Sequence, residues 1–251
     1  MDDTILYNDY INASPDDKIW IPLQKDEHNI FNKLVEDVKV SFKTGTKKEK
    51  GDSLENLMTF IYKRFKHIRI YHNVRTSDNQ IDHIIEFIDG VTPAFINENI
   101  GLRLIGESKN HSKSISTREV ADLDELLRSK KSKLGIFSSF KSFSKGKTMW
   151  INAEGKRRKL ALWHQYNRII IGFTIDELAS LIENNFYTML KQKYYQIIDE
   201  LEDDTTEDQE LPYQLRLFNS LTELKQSGII DSNTFQTGRI LIEEKYGKLE
   251  V

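Results

Sequence analysis

The period of the hydrophobic pattern changes repeatedly between Ser53 and Asp199, and that alternation restricts the fold more than any other feature of the chain. Leu54, Leu57, Met58, Ile61 and Phe65 recur at spacings of three and four, which predicts an amphipathic helix with Asp52 or Ser53 as its N-cap. Three short apolar runs follow, His67–Val74, Ile81–Ile88 and Gly101–Asn110, and the turn cluster Thr76-Ser77-Asp78-Asn79 separates the first two. Beyond them strands and helices alternate. Ser116-Thr117-Arg118-Glu119 and Thr174-Ile175-Asp176-Glu177 both have the form in which a hydroxyl caps a helix while a glutamate reaches back to the cap. The first opens a helix through Val120, Leu123, Leu126 and Leu127, and the second a long helix running towards Asp199. Strands over Lys133–Ser139 and Arg168–Gly172 and a helix over Arg157–Tyr166 lie between the two boxes. The order is helix, three strands, helix, strand, helix, strand, helix. It predicts an α/β fold with an antiparallel start.

The remaining segments frame this core. Residues 1–50 form an N-terminal extension, with Ile19-Trp20-Ile21-Pro22-Leu23 as a short strand or packing arm and helical spacing from Asn29 to Val38. The polar stretch Lys43–Gly51 reads as a loop or domain boundary, so the main domain is placed at 51–198. Residues 199–210 carry eight acidic side chains and no basic one, the mark of a solvated linker. A helical C-terminal segment, 211–251, is left. Its Leu215, Phe218, Leu221 and Leu224 are expected to be buried against residues 176–198 or against another chain.

With no cysteine, disulfides, zinc ribbons and thiol catalysis are excluded. No run of eighteen apolar residues is present, so no membrane-spanning helix is expected. The acidic start lacks the charged-then-apolar pattern of a secretory signal, which predicts a cytoplasmic protein. The net charge of −3 hides a basic middle: residues 101–175 sum to +10, against −9 for residues 176–251. Such a surface suits a polyanion or is merely solvated. Within it Lys113, Ser139, Lys141, Lys145 and Lys147 are candidate contacts to nucleic-acid phosphates, the hydroxyls and lysines interleaving with Phe140 and Phe143. Lys156-Arg157-Arg158-Lys159 is a second basic run, either an exposed helix face or a further DNA contact.

Chemistry concentrates on the second and third strands. Glu107 and Lys109 lie two residues apart at the end of an apolar strand, so period two sets them on one face. Asp82 falls inside an Ile-rich strand, where an unpaired carboxylate is costly, and antiparallel neighbours would bring it to Glu107. A salt bridge among the three at a strand end is one explanation. The other is a site for a hard divalent cation, with Asp82, Glu107 and the carbonyl of Ser108 as ligands. Such a cation would neutralise charge developing on a phosphate, and Lys109 would steady the nucleophile. Glu55 is explained equally by helix capping or by a role in such a site. His83 and His111 flank the constellation, and His83, alternating with Asp82, should point away from it.

The run from Ser53 to about Glu183 resembles the Mrr-type branch of the PD-(D/E)xK, or restriction endonuclease-like, nucleases. The resemblance rests on Glu55 in SLENLM, Asp82 in QIDHII, Glu107 with Lys109 in LIGESKN, the helix STREVADLDELL, the strand LGIFSS and the closing RIIIGFTIDELASLI. It covers about half the chain. The Gly-rich approach to the metal aspartate is replaced here by Asp78-Asn79-Gln80. The resemblance implies a restriction endonuclease-like core, a mixed central sheet flanked by helices, with the C-terminal helices appended. It implies Mg²⁺-dependent (or Mn²⁺-dependent) hydrolysis of DNA phosphodiesters in restriction or anti-phage defence. Asp82 and Glu107 would be metal ligands, Lys109 the catalytic lysine and Glu55 an accessory acid. A homodimer, or a pairing with another defence subunit, would be needed to cut both strands. The alternative is a nucleic-acid-binding or assembly subunit that keeps the fold and does no chemistry.

Overall fold

A computed structural model describes residues 15–75, 80–144, 152–199, 213–228 and 230–247. The chain divides into two compact units, Met1–Glu200 and Leu201–Val251. The first is an α/β unit built on one mixed sheet of five strands in the order β1-β2-β3-β4-β5. β1 (Ile68–Arg75), β2 (Gln80–Phe87) and β3 (Arg103–Lys109) run antiparallel; β4 (Leu134–Ser139) and β5 (Ile169–Thr174) continue parallel to β3. β4, Leu-Gly-Ile-Phe-Ser-Ser, is buried at every position, as a strand covered on both faces must be. β1 lies at the sheet edge, and its Arg69, Tyr71 and Arg75 are exposed.

Helices cover both faces. On one side pack α1 (His28–Thr44), α2 (Lys47–Tyr62), the short α5 (Ile175–Ala179) and α6 (Phe186–Ile198), around Phe31, Leu57, Ile136, Ile171 and Phe186. On the other pack α3 (Thr117–Ser129) and α4 (Ala153–Trp163), around Ile105, Leu123, Leu127, Phe137 and Ile170. Both expected capping boxes are present, Ser116 with Glu119 and Thr174 with Glu177.

Two elements differ from what the sequence pattern predicts. The stretch Lys43–Gly51, expected as a loop, is helical on both sides of Gly45-Thr46, because Thr46 and Glu49 form a third capping box that starts α2 at Lys47. Asp52 and Ser53 are therefore interior helical residues and not caps, and residue 50 lies inside α2. The described part of the N-terminal extension belongs to the same compact unit. Trp20 is fully buried, donates its indole N–H to the Ile61 carbonyl at 2.9 Å and bridges to Phe65, so Ile19–Leu23 acts as a packing arm. The long helix expected from Thr174 to Asp199 is interrupted. α5 ends at Ala179, a 3-10 turn spans Ser180–Ile182, and Asn185 then caps α6 by accepting from the Tyr187 and Thr188 amides.

The second unit contains α7 (Tyr213–Gln226) and α8 (Ser232–Tyr246), joined through Gly228 at a φ of 72°, with Asp231 as the N-cap of α8. Phe218 faces Phe235 at 5.9 Å, and Gly238 lets the backbone of α8 approach Leu221. Leu224 is exposed; Phe218 and Leu221 are half-buried. The side chain of Leu215 and the acidic linker residues 200–210 lie outside the described residues. Among the described residues no helix is long and apolar enough to cross a membrane.

Gly106 carries a consequence for the sheet beneath α2. A Cβ there would lie 2.7 Å from the Tyr62 hydroxyl and 3.1 Å from its ring, and Tyr62 is fully buried. Gly106→Ala is expected to destabilise the protein by about 1–3 kcal/mol through overpacking, measured by urea unfolding. An unchanged midpoint would show that Tyr62 moves freely.

Candidate functional site

The antiparallel register decides where the carboxylates meet. His83 pairs with Gly106 and Glu86 with Arg103, so the same register continued sets Asp82 opposite Glu107. The regular ladder stops at His83, however, and the Asn73–Asp82 step is also missing between β1 and β2, where Asn73 has a φ of 48°. Freed from regular pairing, the Asp82 carboxylate turns to β3 and accepts the Ser108 amide at 2.8 Å. Glu107 and Lys109 share a face, and the Lys109 ammonium lies 2.7 Å from the Glu107 carboxylate. The Ser108 hydroxyl points to the other face and pairs with that of Ser138 at 3.1 Å.

Glu55 joins from α2. It is the ninth residue of that helix, beyond reach of the unpaired first-turn amides, so capping does not explain it. Burial, then the charge of Asp82, raises its pKa, while a hydrogen bond from Asn73 lowers it. Asp82 is raised by burial against the pull of the Ser108 amide and Lys109. Glu107 is pushed up to about 7, by burial first and the Asp82 charge second. Lys109 is also raised: burial opposes its charge, but Glu107 outweighs burial. Three carboxylates therefore crowd one cation at the end of the sheet, and each is ionised only against resistance.

A cleft of about 290 Å³ opens beside Glu107 and Lys109, lined also by Gln80, Glu119, Leu123 and Phe137. Its α3 wall carries Glu119, Asp122 and Glu125, so the cleft is acidic. His111 lies at this end, its Nε2 3.0 Å from Glu119. His83, expected to point away from Asp82, is buried under α2, its Nε2 3.0 Å from the Thr59 hydroxyl and its ring edge-on to Tyr62. Burial draws its pKa down to about 4.

The candidate phosphate contacts scatter. Lys113 and Lys141 are exposed; Lys145 and Lys147 lie outside the described residues. Ser139 is buried at the end of β4, its hydroxyl committed to the Lys141 carbonyl at 2.7 Å, so it presents no free donor to a phosphate. The Lys156–Lys159 run is not a uniform basic face. Arg157 is 6% exposed, and both Arg157 and Arg158 bond to Glu154, leaving Lys159 as the exposed member.

Sequence reasoning missed four residues here. Asn110 is buried and donates to the Ser41 hydroxyl at 3.3 Å and the Lys50 carbonyl at 3.0 Å, tying the strand end after Lys109 to α1 and α2. Asn73 holds Glu55, Tyr62 lies against Gly106, and the charge of Glu119 reaches Lys109. Asn110, as a neighbour of the E-x-K triplet, and Glu119, as the capping-box glutamate, are the two that the sequence marks.

A divalent cation fits the chemistry of the donors. Asp82 and Glu107 offer hard carboxylate oxygens whose mutual repulsion a cation would relieve, and Mg²⁺ needs only one or two carboxylates with waters in its other positions. Among the described residues no group of three or more His, Cys, Asp or Glu side chains is gathered to hold a metal, so a cage made wholly of side chains is not present. No known family model, no curated protein and no solved structure matches the chain.

Proposed function

We propose that the chain is a metal-dependent nuclease of the PD-(D/E)xK kind on a restriction endonuclease-like core, hydrolysing phosphodiester bonds in DNA. The observation that carries this reading is the convergence of Glu55, Asp82, Glu107 and Lys109 from three elements at one end of the sheet. A salt bridge at a strand end accounts for Lys109 with Glu107, but leaves the half-buried Asp82 to share that one ammonium and brings no cation to Glu55.

In this reading Asp82, Glu107 and the Ser108 carbonyl would hold Mg²⁺ or Mn²⁺. The ion would polarise the phosphoryl group and acidify a bound water. The Ser108 amide fixes the Asp82 carboxylate at 2.8 Å, so that it is oriented before any ligand arrives. Lys109, anchored through Asn110 to α1 and α2, presents its ammonium to the attacking water and to a non-bridging phosphate oxygen. Glu55, with a raised pKa, is suited to take a proton from that water. Lys113 and Lys141 supply sequence-independent attraction for the backbone. Two such sites are needed to cut both strands, which suits a homodimer or a pairing with another subunit of a restriction or anti-phage system.

Purified protein incubated with supercoiled plasmid and with single-stranded DNA tests this. Nicking or linearisation in Mg²⁺ or Mn²⁺, and none in EDTA, is expected. Salt-sensitive DNA binding without cleavage in either metal would overturn it and favour a binding or assembly subunit.

A further inference from the structure

A second cleft, of about 560 Å³, opens at the other end of the sheet from the carboxylates. Arg103 begins β3 and Glu107 lies four residues further along it, so about 13 Å of strand separates the two places. The volume lies within the range of roughly 300–1,000 Å³ typical of small-molecule sites.

Its charge is unusual. Arg69 on β1, Glu86 on β2 and Arg103 on β3 stand side by side in register, one carboxylate between two guanidiniums. Arg103 takes Glu86 at 2.7 Å. Arg69 has no ion pair among the described residues. Lys130 and Lys131, at the end of α3, face the same cleft and are likewise unpaired there, and among the described residues the only other acid lining it is Asp89. Four cations thus meet two carboxylates. Ile88 and Leu102 give an apolar wall over buried Phe87.

Lys131 leaves α3 from a defined helix end. The Ser132 amide bonds to the Leu127 carbonyl at 2.9 Å and the Lys131 amide to that of Arg128 at 3.3 Å, the Schellman pattern at a helix end. The residue in the left-handed position of that pattern is ordinarily glycine. Here it is Lys131, with a φ of 52°. Gln165 takes the same left-handed position in the same pattern at the end of α4, with a φ of 50°, so the conformation fixes where the Lys131 side chain leaves the helix and does not by itself assign it a use.

We propose that this cleft binds a phosphate-bearing small molecule of the nucleotide class. Lys130, Lys131 and Arg69 would receive the phosphate, Ile88 and Leu102 would lie against the base, and Glu86 and Asp89 would accept from sugar hydroxyls or an exocyclic amine. The cleft lies away from the carboxylate site, so the assignment stands whether or not the chain cleaves DNA.

Calorimetric titration of the full chain in EDTA, with AMP, adenosine, inorganic phosphate and a short DNA duplex in turn, tests the proposal. AMP should bind more tightly than adenosine or phosphate. Lys130→Ala with Lys131→Gly should weaken AMP binding by about tenfold or more, from the loss of two charge-assisted contacts. Lys131→Gly alone should raise the melting temperature by relieving the left-handed backbone, which separates lost binding from lost folding. Absence of AMP binding at millimolar concentration, AMP binding no tighter than that of phosphate, or affinity unchanged in the double variant would each overturn it. Displacement of AMP by the duplex would assign the cleft to a DNA backbone and overturn it as well.

Discussion

Glu107→Gln and Asp82→Asn should each slow DNA cleavage in Mg²⁺ by about a thousandfold or more, while the metal-free variants melt above the wild type. The two effects have one cause. Both substitutions keep shape and hydrogen-bonding capacity: the glutamine amide oxygen can still accept from Lys109, and that of the asparagine from the Ser108 amide. What they remove is charge, the property that binds a cation and also the property that buried, crowded carboxylates oppose. For Glu107 the sign follows from linkage. Its folded pKa is about 7 against an ordinary 4.5, so the folded state holds a proton that the unfolded state has released. Metal-free stability from this group is therefore greatest below pH 4.5 and falls as pH rises through 7. With its side chain 17% exposed, removing the charge should stabilise the metal-free protein at pH 8, Asp82 being left to balance Lys109. Thermal unfolding in EDTA from pH 5 to 8, with a plasmid assay in Mg²⁺, reads both. A Glu107→Gln variant that cuts normally would remove Glu107 from the site, and one that melts lower would show that its charge is not strained.

Much of this arrangement is legible in the sequence because it depends on local rules. The strand runs, the E-x-K spacing and the two boxes at Ser116 and Thr174 are short-range patterns, and period two already places Glu107 with Lys109. The start of α2 escapes the pattern because its first turn, Lys47-Lys48-Glu49-Lys50, carries no apolar period, although Thr46 and Glu49 have the capping-box spacing. The break before Phe186 is hidden for the opposite reason. Apolar residues continue at helical spacing on both sides, and only the Asn185 side chain, capping a fresh helix, marks the interruption. The roles of Tyr62, Asn73 and Asn110 are tertiary. They follow from which helix crosses which strand, and no spacing along the chain encodes that. The same is true of the cross-strand row Arg69, Glu86 and Arg103, which exists only once the register of three strands is set.

Glu154→Ala should destabilise the protein by about 3–5 kcal/mol, with a pH dependence opposite to that of the Glu107 site. The Glu154 carboxylate holds Arg157 at 2.6 Å and Arg158 at 2.8 Å, with the Arg157 side chain only 7% exposed. Arg157 also donates to the Ile170 carbonyl at 3.3 Å and lies over the Phe143 ring at 4.6 Å, so one carbonyl and a ring face are the partners it keeps once Glu154 is gone. The cost is that of a guanidinium left buried without its counter-charge, which exceeds the net value of the pair. Burial by itself would raise the Glu154 pKa, but the two arginines outweigh it and hold the carboxylate below its ordinary value. The unfolded state then binds the proton more readily than the folded one. Stability from Glu154 is present above pH 4.5 and disappears as pH falls through the lowered folded pKa. Acidification from pH 7 to 4 should therefore relieve strain at Glu107 while beginning to unlock α4 from β5 and the Phe143 segment. In Glu107→Gln the first trend is gone and only the acid loss remains; in Glu154→Ala, if it stays folded, the reverse holds. Where Glu154→Ala does not fold, Glu154→Gln keeps an acceptor for one arginine and should lose less. Urea midpoints across that pH range decide it: a Glu154 variant as stable as the wild type at pH 7 would show that Arg157 reaches solvent by another path.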